Sequence, residues 1–458
     1  MEIRHINHLY WRACFGPDLS QLERLSKMKK NAVADEIFSD AQPFDPIDIA
    51  TKPQHTRKDI REMDKDEKNA LRKFNFEELI DINITWMNYL AFSKEQFRER
   101  MALFWHDHFA CFVPYSYMMQ LHINKLRQHA LGSFRDLLFA IAKDAAMLQF
   151  LNNLQNKKLH PNENFAREVM ELYTLGIGNY TENDIKEAAK AFTGWAFDED
   201  GNFFMREKQH DYGPKTFLGK TGDFSGEDIL NMLLAEKQTA RFITRKIYAY
   251  FVNENPDEEK IMQLADEFYA SDYDIPKLMR SIFLSDWFYD EKNIGSKIKS
   301  PIDLITGMRR SFGIEFSDEQ VLLFMQGILG QTLGYPPNVA GWPDGKPWID
   351  SSTLIFRMKL GDTIFNNSDI GIEDKDQAEG LKLGKKFRNF GAKVEMQHIF
   401  RLTENLPPQK AKELLVSYFI QPQNRFAERL AVKDIGSMTE YTYNCIIQLL
   451  RQPEYQLC

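Results

Sequence analysis

The sequence predicts a mainly α protein, a large multi-helix body carrying a small β hairpin insertion near residues 196–222. Three observations predict it. Apolar side chains recur at three- and four-residue spacing along most of the chain, and glycine and proline interrupt those stretches at the intervals that globular helices span. AFDEDGNFFM (196–205) instead places aromatic residues on both sides of Asp200 and Gly201, a hairpin signal. With 458 residues, 43% of them hydrophobic, the chain can bury a large core. The reading is one helical domain over 1–458, with a division into 1–222 and 223–458 as the alternative.

Residues 3–39 read as short helices, broken at Gly16, Pro17 and Asp18 and resumed by Leu19, Leu22 and Leu25. His5 and His8, beside Tyr10 and Trp11, read as packing residues. Pro43, Pro46 and Pro53 make 40–56 a loop, and the charged run Thr56–Lys73 is an exposed helix or a mobile connector. Helical periodicity returns from Phe74 to Phe112 and includes ERMALFWHDHFACF. As a helix this segment groups Met101, Phe104, Trp105, His108 and Phe112, with His106 and Asp107 turned away, so that His108 is a core histidine. If the helix ends near Trp105 and the chain extends, His106 and His108 share a side in a metal-compatible geometry. Residues 115–155 continue as helices with an apolar set around Leu137, Leu138, Ile141 and Met147.

The densest group of polar residues and helix signals is HPNENFAREVMELYTLGIGNYTENDIKEAAKAFTGW, 160–195. Pro161 suits the first position of a helix that Gly176 and Gly178 end, and Thr181 with Asp184 caps a second helix running toward Gly194. The first helix is amphipathic. Phe165, Val169, Leu172 and Tyr173 share one face, while Asn164, Arg167, Glu168 and Glu171 share the other. That polar face is either a solvated side laced by pairs such as Glu163 with Arg167, or a place where Glu168 and Glu171 aim two carboxylates into a cleft beside Asn164, suiting metal binding or acid–base chemistry. The turn-rich QHDYGPKTFLGKTG (209–222) supplies His210, Asp211 and Lys215, which reach the same face if the segment folds back over it.

Helices are predicted again from Glu227 to Phe312, where Arg241 and Arg245 share a face as anion contacts or ion-pair partners. QTLGYPPNVAGWPDGKPWID (331–350) is too rich in proline and glycine for a helix, and a long ordered loop in a helical domain is often functional. Tyr335, Trp342 and Trp348 either form a stacking floor for a sugar or pin the loop to the body. The remainder is helical with a polar, irregular section near 366–391.

Several classes are excluded. The net charge of −8, with no long basic run, argues against a nucleic-acid partner. Cys14, Cys111, Cys445 and Cys458 contain no CxxC pair and indicate neither a thiolate zinc site nor a disulfide framework. The N-terminus lacks a signal-peptide pattern and no apolar run reaches membrane-spanning length, so a soluble, cytoplasmic protein is expected. No phosphate-binding loop, dinucleotide fingerprint, nucleophile elbow or HExxH helix occurs.

Seven stretches carry a family resemblance: RACFGP (12–17), FWHDHF (104–109), HALGSFRDLL (129–138), NENFAREVMELYTLGIGNYTENDIKEAAKAFTGW (162–195), KTFLG (215–219), KSP (299–301) and PPNVAGWPDGKPWI (336–349). In this order they resemble the bacterial family called "domain of unknown function 1800", over nearly the whole chain. The resemblance brings no assigned catalytic residues. It implies a partner, since genes of that family tend to lie beside those of a sulfatase-like or alkaline-phosphatase-like family.

Two functional expectations follow. One is a metal-assisted hydrolase in which a divalent ion is held by His106, His108, Glu168, Glu171 and His210, with Glu168, Glu171 and His108 catalytic and Asn164, Arg167, Lys215, Trp342 and Trp348 contacting substrate. The alternative is a non-catalytic helical binding protein for a sulfatase-like partner or a carbohydrate, using the 331–350 loop as contact surface. The first requires the histidines and carboxylates to converge; the second leaves each in its own satisfied surroundings.

Overall fold

Reciprocal caps made by short polar side chains set where many of the helices begin. Thr56 with Asp59, Asp64 with Glu67, Thr181 with Asp184, Ser225 with Asp228, and Ser300 with Asp303 each satisfy two of the N–H groups that a helix start leaves free. The computed structural model describes residues 1–39, 44–370, 387–422, 430–432 and 436–458. Within them the helices form a mainly α body, accompanied by three two-stranded antiparallel sheets.

The N-terminal region contains helices Ile3–Cys14, Leu22–Ser26 and Lys30–Ser39, interrupted at Gly16, whose φ of +101° lets the backbone turn against the Trp11 ring. In the loop that follows, side chains replace the partners a ladder would supply. Asn124 accepts from the Ile47 amide, Gln120 from Ile49 and Ala50, and Glu78 from Thr51. The charged run after Thr56 is helical, forming Arg57–Glu62 and the exposed first turns of the long helix Lys65–Phe92.

One local expectation needs correction, and the expected β insertion is filled in. The helix placed at Pro161 starts later and spans Asn164–Glu171. Asn156 accepts from the Asn162 amide and Asn162 from that of Asn164, so side chains hold 156–163 in an irregular path before the helix begins. The β insertion is two hairpins rather than one. Trp195–Phe197 pairs with Phe203–Met205 around an Asp198 carboxylate that accepts from the amides of Asp200 and Asn202; Lys215–Phe217 pairs with Lys220–Gly222. The third sheet joins Glu315–Phe316 to Ala392–Lys393. Of the irregular section expected at 366–391, residues 371–386 lie outside the described residues.

Apolar faces from both sides of residue 223 enter the same core cluster, in which Trp86 and Trp105 are fully buried. Helices Pro301–Phe312 and Gln320–Leu329 pack on Lys65–Phe92. Asn83 and Gln326 exchange two amide hydrogen bonds across that contact, satisfying polar groups that would otherwise be orphaned in the core. All four cysteines are buried, and none of them is in a disulfide among the described residues. Among the described residues no helix is long and apolar enough to cross a membrane.

Candidate functional site

The helix Gln96–His108 continues through both histidines of FWHDHF and is capped by Phe109, so the extended alternative for 106–108 is not adopted. Two positions apart on a helix, the rings diverge by about 200°. His106 lies against Trp86 and Trp342, and its Nε2 accepts from the Gly334 amide at 2.9 Å. Burial, with a smaller contribution from His122, holds it neutral and pushes its pKa down to about 3. His108 enters the opposite, aromatic side, among Phe104, Trp105, Phe109, Phe134 and Tyr173. Its Nδ1 accepts from Lys246 Nζ at 3.1 Å, and burial followed by that lysine holds its pKa well below the usual histidine range.

The remaining predicted residues lie in separate surroundings. Glu171 accepts from the Tyr180 hydroxyl, while Glu168, half-buried, is pushed up by burial and by its neighbour Glu171. Asn164 is exposed, and Arg167 bridges Glu163 and Glu182 on the protein surface. His210 bonds the Thr193 carbonyl through Nδ1 at 2.8 Å; Lys215 donates to the carbonyls of Asp211 and Gly213. Trp342 and Trp348 are 6% and 4% exposed, too covered to offer a stacking floor, and Tyr335 packs on Phe112 with ring centres 4.0 Å apart. Among the described residues no three His, Cys, Asp or Glu side chains are grouped to hold a metal ion. His106, His108, Glu168, Glu171 and His210 therefore do not form the shared cleft that their residue types suggested: the two histidines of the helix face opposite sides toward Gly334 and Lys246, and Glu171 and His210 bond partners of their own.

The structure instead gathers charge at Asp107, which the sequence left unassigned. Its Oδ1 accepts from the Trp342 amide at 2.8 Å, and Gly341, at φ +85°, is so close that a Cβ there would lie 2.3 Å from the same oxygen. Burial pushes Asp107 up to about 7, with Asp344 adding to the effect; the Trp342 N–H, Lys246 and Lys297 oppose it. Lys246, itself lowered by burial, faces both this carboxyl and His108. FWHDHF, the Lys237–Phe251 helix and the 331–350 loop thus meet at a carboxyl able to exchange a proton near neutrality. An aspartate between two histidines was the available sequence signal.

A second feature has more room. A cavity of about 790 Å³ opens between the 51–63 segment, the start of the Lys65–Phe92 helix and residues 115–118. Ile60, Leu71, Phe74 and Met118 provide apolar wall, with Lys52, Arg57 and Arg61 among the cations and Glu67 and Glu199 the acids. Phe74 is 45% exposed, and the Arg57 guanidinium stands 4.4 Å from the Phe197 ring. The sequence reading assigned this charged stretch no role; the signal in it was Ile60, Leu71 and Phe74, apolar residues on helix turns otherwise given to charge.

A family model described as "Protein of unknown function (DUF1800)" matches residues 8–457. The chain belongs to that family. No curated protein and no solved structure matches it. In this DUF1800 chain the stretches that carried the resemblance meet in space: FWHDHF joins PPNVAGWPDGKPWI at Asp107, and Gly16 of RACFGP lies against Trp11, whose ring also covers Lys299 of KSP at 3.8 Å.

Proposed function

We propose that the protein is a binding protein whose 51–75 cavity takes a small amphipathic anion. The observation that carries the reading is the cavity itself: about 790 Å³ lies within the 300–1,000 Å³ common for ligand sites. Its apolar wall suits a hydrocarbon or ring system; Lys52 is paired with Asp200, and Arg57 and Arg61 are the cations that would meet a negatively charged head group. Binding is preferred over metal-assisted hydrolysis because His106, His108, Glu171 and His210 are each hydrogen-bonded to separate partners.

The test is a fluorescence titration with 1-anilinonaphthalene-8-sulfonate, an aromatic sulfonate of suitable size. The native protein is expected to bind roughly one molecule per chain, within the usual count of few such sites per protein. Leu71→Trp, which narrows the cavity at its apolar wall, weakens binding, and Arg57→Ala weakens it and flattens its salt dependence. If both variants, still folded by circular dichroism, bind the dye as the native protein does, the cavity is not the site and the reading fails.

A further inference from the structure

Five basic side chains are buried together around one carboxylate. Arg12, Arg100, Lys297, Lys299 and Arg357 are each at most 2% exposed, and Asp303, also 2% exposed, acts on all of them. Buried Cys458 acts in the same sense on Arg12, Arg100 and Lys299, while Glu254 and Asp344 contribute from the surface. Arg100 pairs with Asp303 and donates through Nε to the Arg12 carbonyl at 3.1 Å. Lys299 donates to the Tyr455 carbonyl between the Trp11 and Tyr455 rings, and Lys297 donates to the Tyr250 carbonyl.

Among the described residues the guanidinium groups are not fully partnered. Arg12 spends Nη2 on the Asn293 carbonyl and Ser296 hydroxyl, leaving Nε and Nη1 without a partner; Arg100 leaves Nη2. Arg357 spends only Nη1, on the Lys299 carbonyl at 2.9 Å and more weakly on Gln456 Oε1, leaving Nε and Nη2. Those two nitrogens form one edge of the guanidinium, the fork that binds oxyanions bidentately. The Gln456 amide nitrogen beside it also lacks a partner. Buried charged donors without acceptors carry a large desolvation cost, and a bound anion removes it.

We infer that this cluster holds a tetrahedral oxyanion of the phosphate or sulfate type, seated on the Nε–Nη2 edge of Arg357. A tetrahedral oxyanion is favoured over chloride because it can accept from both members of a planar fork at once. The site is distinct from the 51–75 cavity and does not depend on it.

The experiment has two readouts on the full chain. Protein desalted into Tris-gluconate is denatured, and released anions are measured by ion chromatography; in parallel, thermal midpoints are followed against phosphate and sulfate, with sodium chloride matching the ionic strength. Release of roughly one oxyanion per chain, or a midpoint rising with the logarithm of phosphate or sulfate concentration, as binding to the native state alone requires, is the expected result. Arg357→Met and Arg357→Lys, both lacking the fork, should lose the bound anion and the response, while Arg135→Met, at a partly exposed position paired with Asp272, retains both. No released oxyanion together with a flat midpoint in the native protein overturns the inference, as does equal stabilisation by chloride. Undiminished anion content in folded Arg357→Met overturns the assignment to that edge.

Discussion

Burial keeps the histidines of FWHDHF neutral, and it makes their effect on stability directional. His8, His106 and His108 are all held below the ordinary pKa of 6.5, each chiefly by burial. A depressed histidine contributes stability that is intact above the unfolded-state value and is lost as pH falls from there toward the folded-state value. Urea unfolding should therefore show stability dropping below pH 6.5, by about 1.4 kcal/mol per pH unit for each histidine that charges only on unfolding. His106→Gln, whose amide oxygen can still accept from Gly334, should reduce that slope by about one proton. Asp107 has the opposite sign. Raised from 3.8 to about 7, it favours the folded state while protonated, and its contribution declines as pH rises between those values. Asp107→Asn keeps the acceptor for Trp342 and should gain roughly 1–3 kcal/mol over the native protein between pH 5 and 8 in the same assay. The apolar period of residues 101–112 made the core position of His108 legible in advance. The environment of Asp107 was not legible, because the groups that shift it arrive from residues 246, 297 and 344.

Glycines show where one element closes on another. Ala at Gly307, inside helix Pro301–Phe312, would by propensity alone stabilise the protein by roughly 0.5–1 kcal/mol. Its Cβ would lie 2.3 Å from the Trp11 ring, however, so Gly307→Ala should lower the thermal midpoint. Gly341→Ala combines a positive φ with a clash against Asp107 and should cost at least about 1–3 kcal/mol, with the 331–350 loop losing hydrogen-exchange protection ahead of the helices. Element ends tested sequence reading unevenly. Thr181 with Asp184 was readable because a cap acts within three residues. The late start at Asn164 was hidden, because it depends on Asn156 reaching across a bend to the Asn162 amide.

For the molecule as a whole, the division at residue 222 is the useful test. Arg100 on one side pairs with Asp303 on the other, Asn83 with Gln326, and both contacts are buried. Residues 1–222 expressed alone should fail to give a cooperative thermal transition, and the full chain should unfold in one calorimetric step whose van't Hoff and calorimetric enthalpies agree. Two independent transitions would show instead that the halves are separate domains. By itself the sequence determined the helical class, the hairpin signal around Asp200 and Gly201, most of the breaks and caps, and the family, because those signals lie within a few residues of one another or in ordered local motifs. Only the tertiary structure decided which polar groups meet. Trp342 reaches Asp107 across 235 residues and Asp303 reaches Arg100 across 203, while His106 and His108 meet the distant Gly334 and Lys246 and Glu171 and His210 bond nearer partners of their own. The physical reason is that helix and turn formation are settled by short-range hydrogen bonds and periodicity, whereas burial, orphaned donors and cavities arise from how distant faces pack, which leaves no local pattern to read.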